Sequence, residues 1–197
     1  MRNGNNRGRN TRVDFEMTKV TIVNVVATAA LSQRVDLEEL GKCPQIVHDP
    51  EIYGGRVAYF KSPGMIGKVI IFPSGKLISV GTKDEKGAFN ELKGTEAFLA
   101  GKNIIEPTVL EPKIQNIVAV IDFEQSVNLE ELARNSKMIY EPEQFPGGIL
   151  KLDEPYKATI LIFATGKAVI TGVRSSSQIE PLVKKIANTI EVEESRL

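Results

Sequence analysis

Ile22-Val23-Asn24-Val25-Val26-Ala27 returns as Ile114-Gln115-Asn116-Ile117-Val118-Ala119, 92 positions later. The run is a strand by its branched residues, and its recurrence marks a duplication. Outward from it the match continues. Leu37-Glu38-Glu39-Leu40 recurs as Leu129-Glu130-Glu131-Leu132, Asp49-Pro50-Glu51 answers Glu141-Pro142-Glu143, and Tyr53 answers Phe145. Ile71-Phe72-Pro73-Ser74-Gly75-Lys76 answers Ile162-Phe163-Ala164-Thr165-Gly166-Lys167 at an offset of 91, after a one-residue loop change near Gly64. Gly81 and Gly172 keep that register. The repeat takes in nearly everything from Val20 onward. Such long units do not fit a solenoid and imply two fused half-domains.

Each half predicts the same order of elements. An apolar strand (19–29; 113–123) leads to a short helix (37–40; 129–132). Short β-prone runs follow at 45–48, 57–61, 68–72 and 77–81, with equivalents in the second half. Pro63-Gly64, Ser74-Gly75, Glu154-Pro155 and Thr165-Gly166 supply turns. A longer helix closes each repeat, over 85–99 and 177–190. The chain therefore divides into a basic, disordered N-terminal arm (1–18), a first repeat (19–110), a second repeat (111–191) and a short acidic tail (192–197).

An antiparallel sheet with helices on one side alternates apolar and polar residues. These strands are apolar on both faces. Val23, Val25, Val69 and Ile71 can pack beneath the helices, which turns Ile22, Val26, Ile70 and Phe72 the other way, with Asn24 among them. Ile114, Asn116, Val118, Leu161 and Phe163 repeat that face. One long helix per repeat covers one side of such a sheet, so the other is an interaction surface. It packs on another subunit, closes into a barrel, or meets a nucleic-acid groove. The lysines favour the groove, because they sit at turns and strand starts where long basic side chains reach phosphates.

The chain has 197 residues, 42% hydrophobic and 25% charged, with a formal net charge of zero. The zero conceals a separation. From Ile52 to Lys83 the charged residues are Arg56, Lys61, Lys68, Lys76 and Lys83, with no acid among them, and Asp84 to Pro112 is net acidic. Cys43 is the only cysteine, which excludes an internal disulfide and a cysteine-rich zinc module and fits a reducing, intracellular setting. No apolar run suggests a membrane helix, and the start of the chain carries no secretory signal. With one histidine, His48, no phosphate-cradling glycine loop and no nucleophile beside a base, the sequence offers no catalytic residues, metal site or cofactor. His48 and Cys43 read as structural.

The tandem repeat, the paired Asn24 and Asn116 strands, Glu-Pro-Glu-Gln-Phe-Pro-Gly (141–147) and Leu-Ile-Phe-x-x-Gly-Lys (161–167) together resemble the TATA-box-binding protein family, archaeal type. The resemblance spans about Val20 to Ile190. It implies an α+β fold: a pseudo-twofold tandem repeat forming a curved antiparallel sheet, a saddle, with helices on the convex face. It implies a non-enzymatic initiation factor that binds and bends A·T-rich promoter DNA through the minor groove, minor-groove wedging being a general mode of this family. By that resemblance Tyr53, Phe72, Phe145 and Phe163 are the wedging aromatics. Asn24 and Asn116 contact central bases, and Val26, Ile70, Ile78, Val80, Val118, Leu161, Val169 and Thr171 complete the base-contacting floor. Arg56, Lys61, Lys68, Lys76, Lys83, Lys151, Lys157, Lys167 and Arg174 would meet phosphates. Glu141, Glu143 and Gln144 would contact transcription factor B, and RNA polymerase would join the assembly. The free protein could pair as a homodimer through its concave face. An archaeal member would work in the cytoplasm on the nucleoid, a eukaryotic one in the nucleus.

Two positions depart from the family pattern. Tyr53 stands where phenylalanine is usual, and Val80 where threonine is common, while its counterpart Thr171 keeps the hydroxyl. Glu51-Ile52 also stands where some relatives carry basic residues. An alternative reading is a small-molecule-binding or enzyme-appended domain of similar helix-on-sheet architecture. It needs a pocket or a catalytic domain, for which no residues remain.

Overall fold

Along the strands buried and half-exposed residues alternate with period two, and this alternation organises the computed structural model, which describes residues 18–194. The expected basic arm, apart from Thr18, and the end of the expected tail lie outside the described residues. The elements run β1 (Lys19–Ala30), α1 (Leu37–Gly41), β2 (Ile46–Val47), a single helical turn (Ile52–Gly55), β3 (Ala58–Phe60), β4 (Lys68–Ile71), β5 (Lys76–Thr82) and α2 (Glu85–Gly101). The second half follows as β6 (Lys113–Asp122), α3 (Leu129–Asn135), β7 (Gly147–Leu152), β8 (Ala158–Phe163), β9 (Lys167–Val173), a turn at Ser176–Gln178 and α4 (Ile179–Glu194).

Side-chain caps start the helices where the sequence changes character. Asp36 accepts from the N–H groups of Glu38 and Glu39, Asp84 from Gly87, and Asn128 from Glu131. Two helices differ from expectation. α3 runs on to Asn135 whereas α1 stops at Gly41, and the position answering Gly41 is Ala133. Glycine interrupts the shorter helix and alanine lets the longer one continue. α4 starts after a separate turn and reaches Glu194, into the segment expected as a tail.

By internal contacts the chain forms two compact units. The first comprises Ile22–Ala119 with Thr171–Gln178. Its strands are hydrogen-bonded in the order β2-β3-β4-β5-β1-β6, and the β2–β3, β3–β4, β4–β5 and β5–β1 pairs are antiparallel. α2 lies against β4 and β5. Its buried Ala88, Glu91, Leu92, Thr95 and Leu99 recur at helical spacing and form one stripe. Val25, Ala27, Val69, Ile71 and Leu77 are fully buried in the sheet. Val23 is half-exposed, contrary to its expected place under the helices, because β1 pairs with β5 only from Val25 onward.

The second unit comprises Val120–Ile170 with the described parts of Met1–Thr21 and Ile179–Leu197. Its strand order is β9-β8-β7, with β7 and β8 antiparallel from Gly147↔Phe163 to Leu152↔Ala158. α4 packs on α3 and buries Leu182, Val183, Ile186, Ala187 and Ile190. Ile160, Ile162, Ala168 and Ile170 are the buried sheet residues.

Candidate nucleic-acid interface

Opposite the buried face of the first unit, register builds an apolar strip. Val26 faces Val80 across β1 and β5, and Ile70 faces Ile78 across β4 and β5. All four are half-exposed, as is Val118 on β6, while Val25, Ile71, Leu77 and Ser79 on the same strands are buried. Thr28 shares this alternation, and its Oγ1 accepts from Gln115 Nε2 at 2.8 Å. Nothing in its residue type singles out Thr28, although the period of two does. In the second unit Leu161 and Val169 are half-exposed between buried neighbours, and Leu161 faces Ile149 across β7 and β8.

A left-handed glycine fixes each asparagine. The β1–β5 register slips between Val25↔Thr82 and Val26↔Val80, which leaves Gly81 unpaired at φ 98°. Its freed N–H donates to Asn24 Oδ1 at 2.8 Å. The same hydrogen bond recurs where Gly172, at φ 97°, donates to Asn116 Oδ1 at 2.7 Å. A side chain at either glycine would strain that left-handed backbone. With its oxygen held by the main chain, the Asn24 carboxamide has its amino group left to donate outward, and the Asn116 amino group keeps one donor hydrogen besides the one directed at Thr171 Oγ1. That donor suits adenine N3 and thymine O2, and it opposes the guanine N2 amino group, itself a donor. Thr171 Oγ1 lies 3.3 Å from both amide heteroatoms of Asn116. Val80, in the equivalent place, has no hydroxyl, and Asn24 Nδ2 has no hydrogen-bond partner among the described residues.

Phe72 directly follows β4 and Phe163 ends β8, each at one of two duplicated tight turns. Gly75 N–H donates to Phe72 O and Gly166 N–H to Phe163 O, both at 2.9 Å. The preceding loops pin these turns: Leu31 N–H to Gly75 O and Val35 N–H to Pro73 O in one, Phe123 N–H to Gly166 O and Val127 N–H to Ala164 O in the other. Phe163 meets Phe145 edge-on, ring centroids 5.9 Å apart, and both are half-exposed. Phe145 stands on a turn in which its own N–H and that of Gln144 converge on Glu141 O. Glu141, Glu143 and Gln144 are all exposed there. Tyr53 is built differently, 72% exposed at a left-handed φ of 52°, with no ring contact to Phe72 among the described residues.

All nine basic residues singled out from the sequence are exposed. Four already have a neighbour. Lys61 Nζ donates to Ile66 O, Lys83 Nζ to Val23 O, Lys68 Nζ lies 4.4 Å above the Tyr59 ring, and Lys157 pairs with Glu154 at 2.5 Å. Arg56, Lys76, Lys151, Lys167 and Arg174 form no ion pair among the described residues. His48 Nδ1 lies 3.0 Å from Val57 O, and Cys43 is a half-exposed free thiol. Among the described residues no cluster of three acidic, histidine or cysteine side chains could hold a metal, and no helix is long and apolar enough to cross a membrane.

The sequence matches the family model described as "Transcription factor TFIID (or TATA-binding protein, TBP)" in two segments, residues 19–95 and 111–192. The TATA-box-binding protein of Cenarchaeum symbiosum is 37% identical over 164 residues, covering 82% of this chain and 88% of that protein. That of Methanocaldococcus jannaschii is 38% identical over 181 residues, 89% of this chain and 96% of that protein. Among solved structures, Methanococcus jannaschii TBP superposes with a TM-score of 0.74 at 34% identity, covering 88% of this chain and 98% of that one. The two matched segments fall on the two copies of the duplication, and the structural likeness bears out the expected α+β fold class.

Proposed function

Because the chain belongs to the TATA-binding protein family, whose members are non-enzymatic transcription initiation factors, we propose that it binds TATA-box DNA in the minor groove and bends it. The observation that carries this reading is the pair of asparagines whose amide oxygens are held by the N–H groups of left-handed glycines. An apolar strip with fixed donors at its asparagines complements A·T pairs, which offer the minor groove only acceptors, and rejects the guanine amino group. Each repeat takes one half of the site. Phe145 and Phe163 wedge into one end and Tyr53 and Phe72 into the other, unstacking a base step at a cost of a few kcal/mol that the bent duplex offsets through added contact. Exposed lysines and arginines supply the sequence-independent part of the affinity.

The test is a titration of the full chain against A·T-rich and G·C-rich duplexes across a salt series. Tight binding is expected for the A·T-rich duplex alone, weakening as salt rises. Lys76→Ala should weaken every duplex similarly and flatten the log–log salt slope by about 1, the contribution of one phosphate contact. Equal affinity for both duplexes would overturn the reading.

Recruitment is the second part of the proposal. The exposed turn bearing Glu141, Glu143 and Gln144 would dock transcription factor B, and through it RNA polymerase. Glu143→Arg reverses a charge on that turn without touching the sheet. Binary DNA binding should survive and the ternary complex should be lost in a native gel. Formation of both complexes at wild-type strength would reject this docking site.

A further inference from the structure

A cavity of about 380 Å³ opens between α2 and the β3–β4 loop in the first unit. Phe60 and Phe98, whose rings lie 4.8 Å apart, line it with Met65, and so do Glu91 and Thr82. Glu91 is 8% exposed and Thr82 1% exposed. One Glu91 oxygen accepts from Gly67 N–H at 2.8 Å and the other from the Ser79 hydroxyl at 3.1 Å. Among the described residues no cation pairs with the carboxylate, and Thr82 Oγ1 has no hydrogen-bond partner. A buried carboxylate without a counter-charge, beside an unsatisfied hydroxyl, is costly unless something fills the vacant acceptor positions.

The duplication supplies its own control. Gly67, Ser79, Thr82 and Glu91 answer, at the offset that relates Phe72 to Phe163, to Ala158, Ile170, Val173 and Leu182. Those four are buried and apolar, the fill expected under a helix on a sheet. The fold therefore does not require polar groups here. The first repeat alone brings a carboxylate and two hydroxyls to one place and leaves space beside them.

We propose that this cavity binds an alkylammonium group. The cationic head would donate to the free lone pairs of Glu91 and to Thr82 Oγ1, for which an ammonium has the three donors required. The carbon chain would lie against Phe60, Phe98 and Met65, and aromatic faces also favour a nearby cation. The site is separate from the half-exposed strip assigned to DNA, and it stands or falls independently of that assignment.

The test is calorimetric titration of the full chain with n-hexylammonium and, in parallel, with an end-blocked Leu-Lys-Leu peptide. The tighter of the two identifies the source, a free amine or a partner's lysine side chain, and saturable one-to-one binding of either supports the site. 1-Hexanol should bind about tenfold or more weakly than hexylammonium, because it lacks the charge-assisted bond, and Glu91→Gln should lose a similar factor. Gly94 also lines the cavity, and a Cβ placed there meets nothing within 4 Å. Gly94→Met should therefore block binding while leaving Glu91 and the fold intact, which keeps the test decisive should Glu91→Gln unfold. Absence of saturable binding to both probes overturns the proposal. So does hexanol binding equal to hexylammonium, or undiminished binding to folded Glu91→Gln or Gly94→Met.

Discussion

Phe163→Ala is expected to lower affinity for a TATA-box duplex roughly 10- to 100-fold, the factor that follows from losing about 1.5–3 kcal/mol of aromatic burial. The duplex bend should fall with it, since an alanine has no ring to hold a base step open. The fold should survive. Phe163 is half-exposed, and its ring meets that of Phe145 edge-on, a pair worth about 0.5–1.5 kcal/mol beyond area. Fluorescence distance between the duplex ends reports the bend, and a thermal melt by circular dichroism reports the fold. An unchanged bend with a folded variant would remove Phe163 from the wedge. Tyr53 is a useful contrast, because its ring meets no other aromatic ring among the described residues while Phe145 and Phe163 brace each other.

Gly166→Ala should have the largest effect on stability. A Cβ there would sit 1.8 Å from Gln125 O, at a φ of 82°. Neither the turn nor the loop can yield without breaking the Phe123–Gly166 and Val127–Ala164 hydrogen bonds that tie them together. A loss of about 3 kcal/mol or more is expected for strain at such a backbone position combined with a core clash. For a chain of this size that lowers Tm by roughly 6–12 °C. Gly64→Ala isolates the backbone term, since Gly64 has a similar φ of 88° but nothing within 4 Å of its Cβ. It should cost only about 1 kcal/mol. Equal losses at the two sites would mean that the Gln125 contact is unimportant. Because the same turn begins at Phe163, a partly folded Gly166→Ala should also bind DNA poorly.

Much of this architecture is legible in the residues because it is written twice. Strand limits read from branched residues and turn pairs fall within a few positions of those observed, and the half-exposed strip follows from alternation once both faces prove apolar. Side-chain partners are less visible. Asn24 and Asn116 stand out as polar residues in apolar strands, but nothing local shows that Gly81 and Gly172 hold their oxygens, since that depends on a register slip between distant strands. Val23 departs from its expected environment for a related reason: alternation tells which side a residue faces, not where pairing begins. Glu91 is hidden most thoroughly. On a helix otherwise rich in charges it resembles any solvated carboxylate, and only packing against Gly67 and Ser79 reveals it as buried.

The glycines that capture the asparagine oxygens have a thermodynamic consequence as well. A surface carboxamide normally surrenders rotational freedom when it docks, and immobilising a flexible side chain at an interface costs about 0.5–1.5 kcal/mol. Asn24 and Asn116 have already given that freedom up to the main chain. In the proposed binding mode their donors would meet the groove in the orientation they already have, so the entropy lost on association would fall on the exposed basic side chains without a partner and on Tyr53.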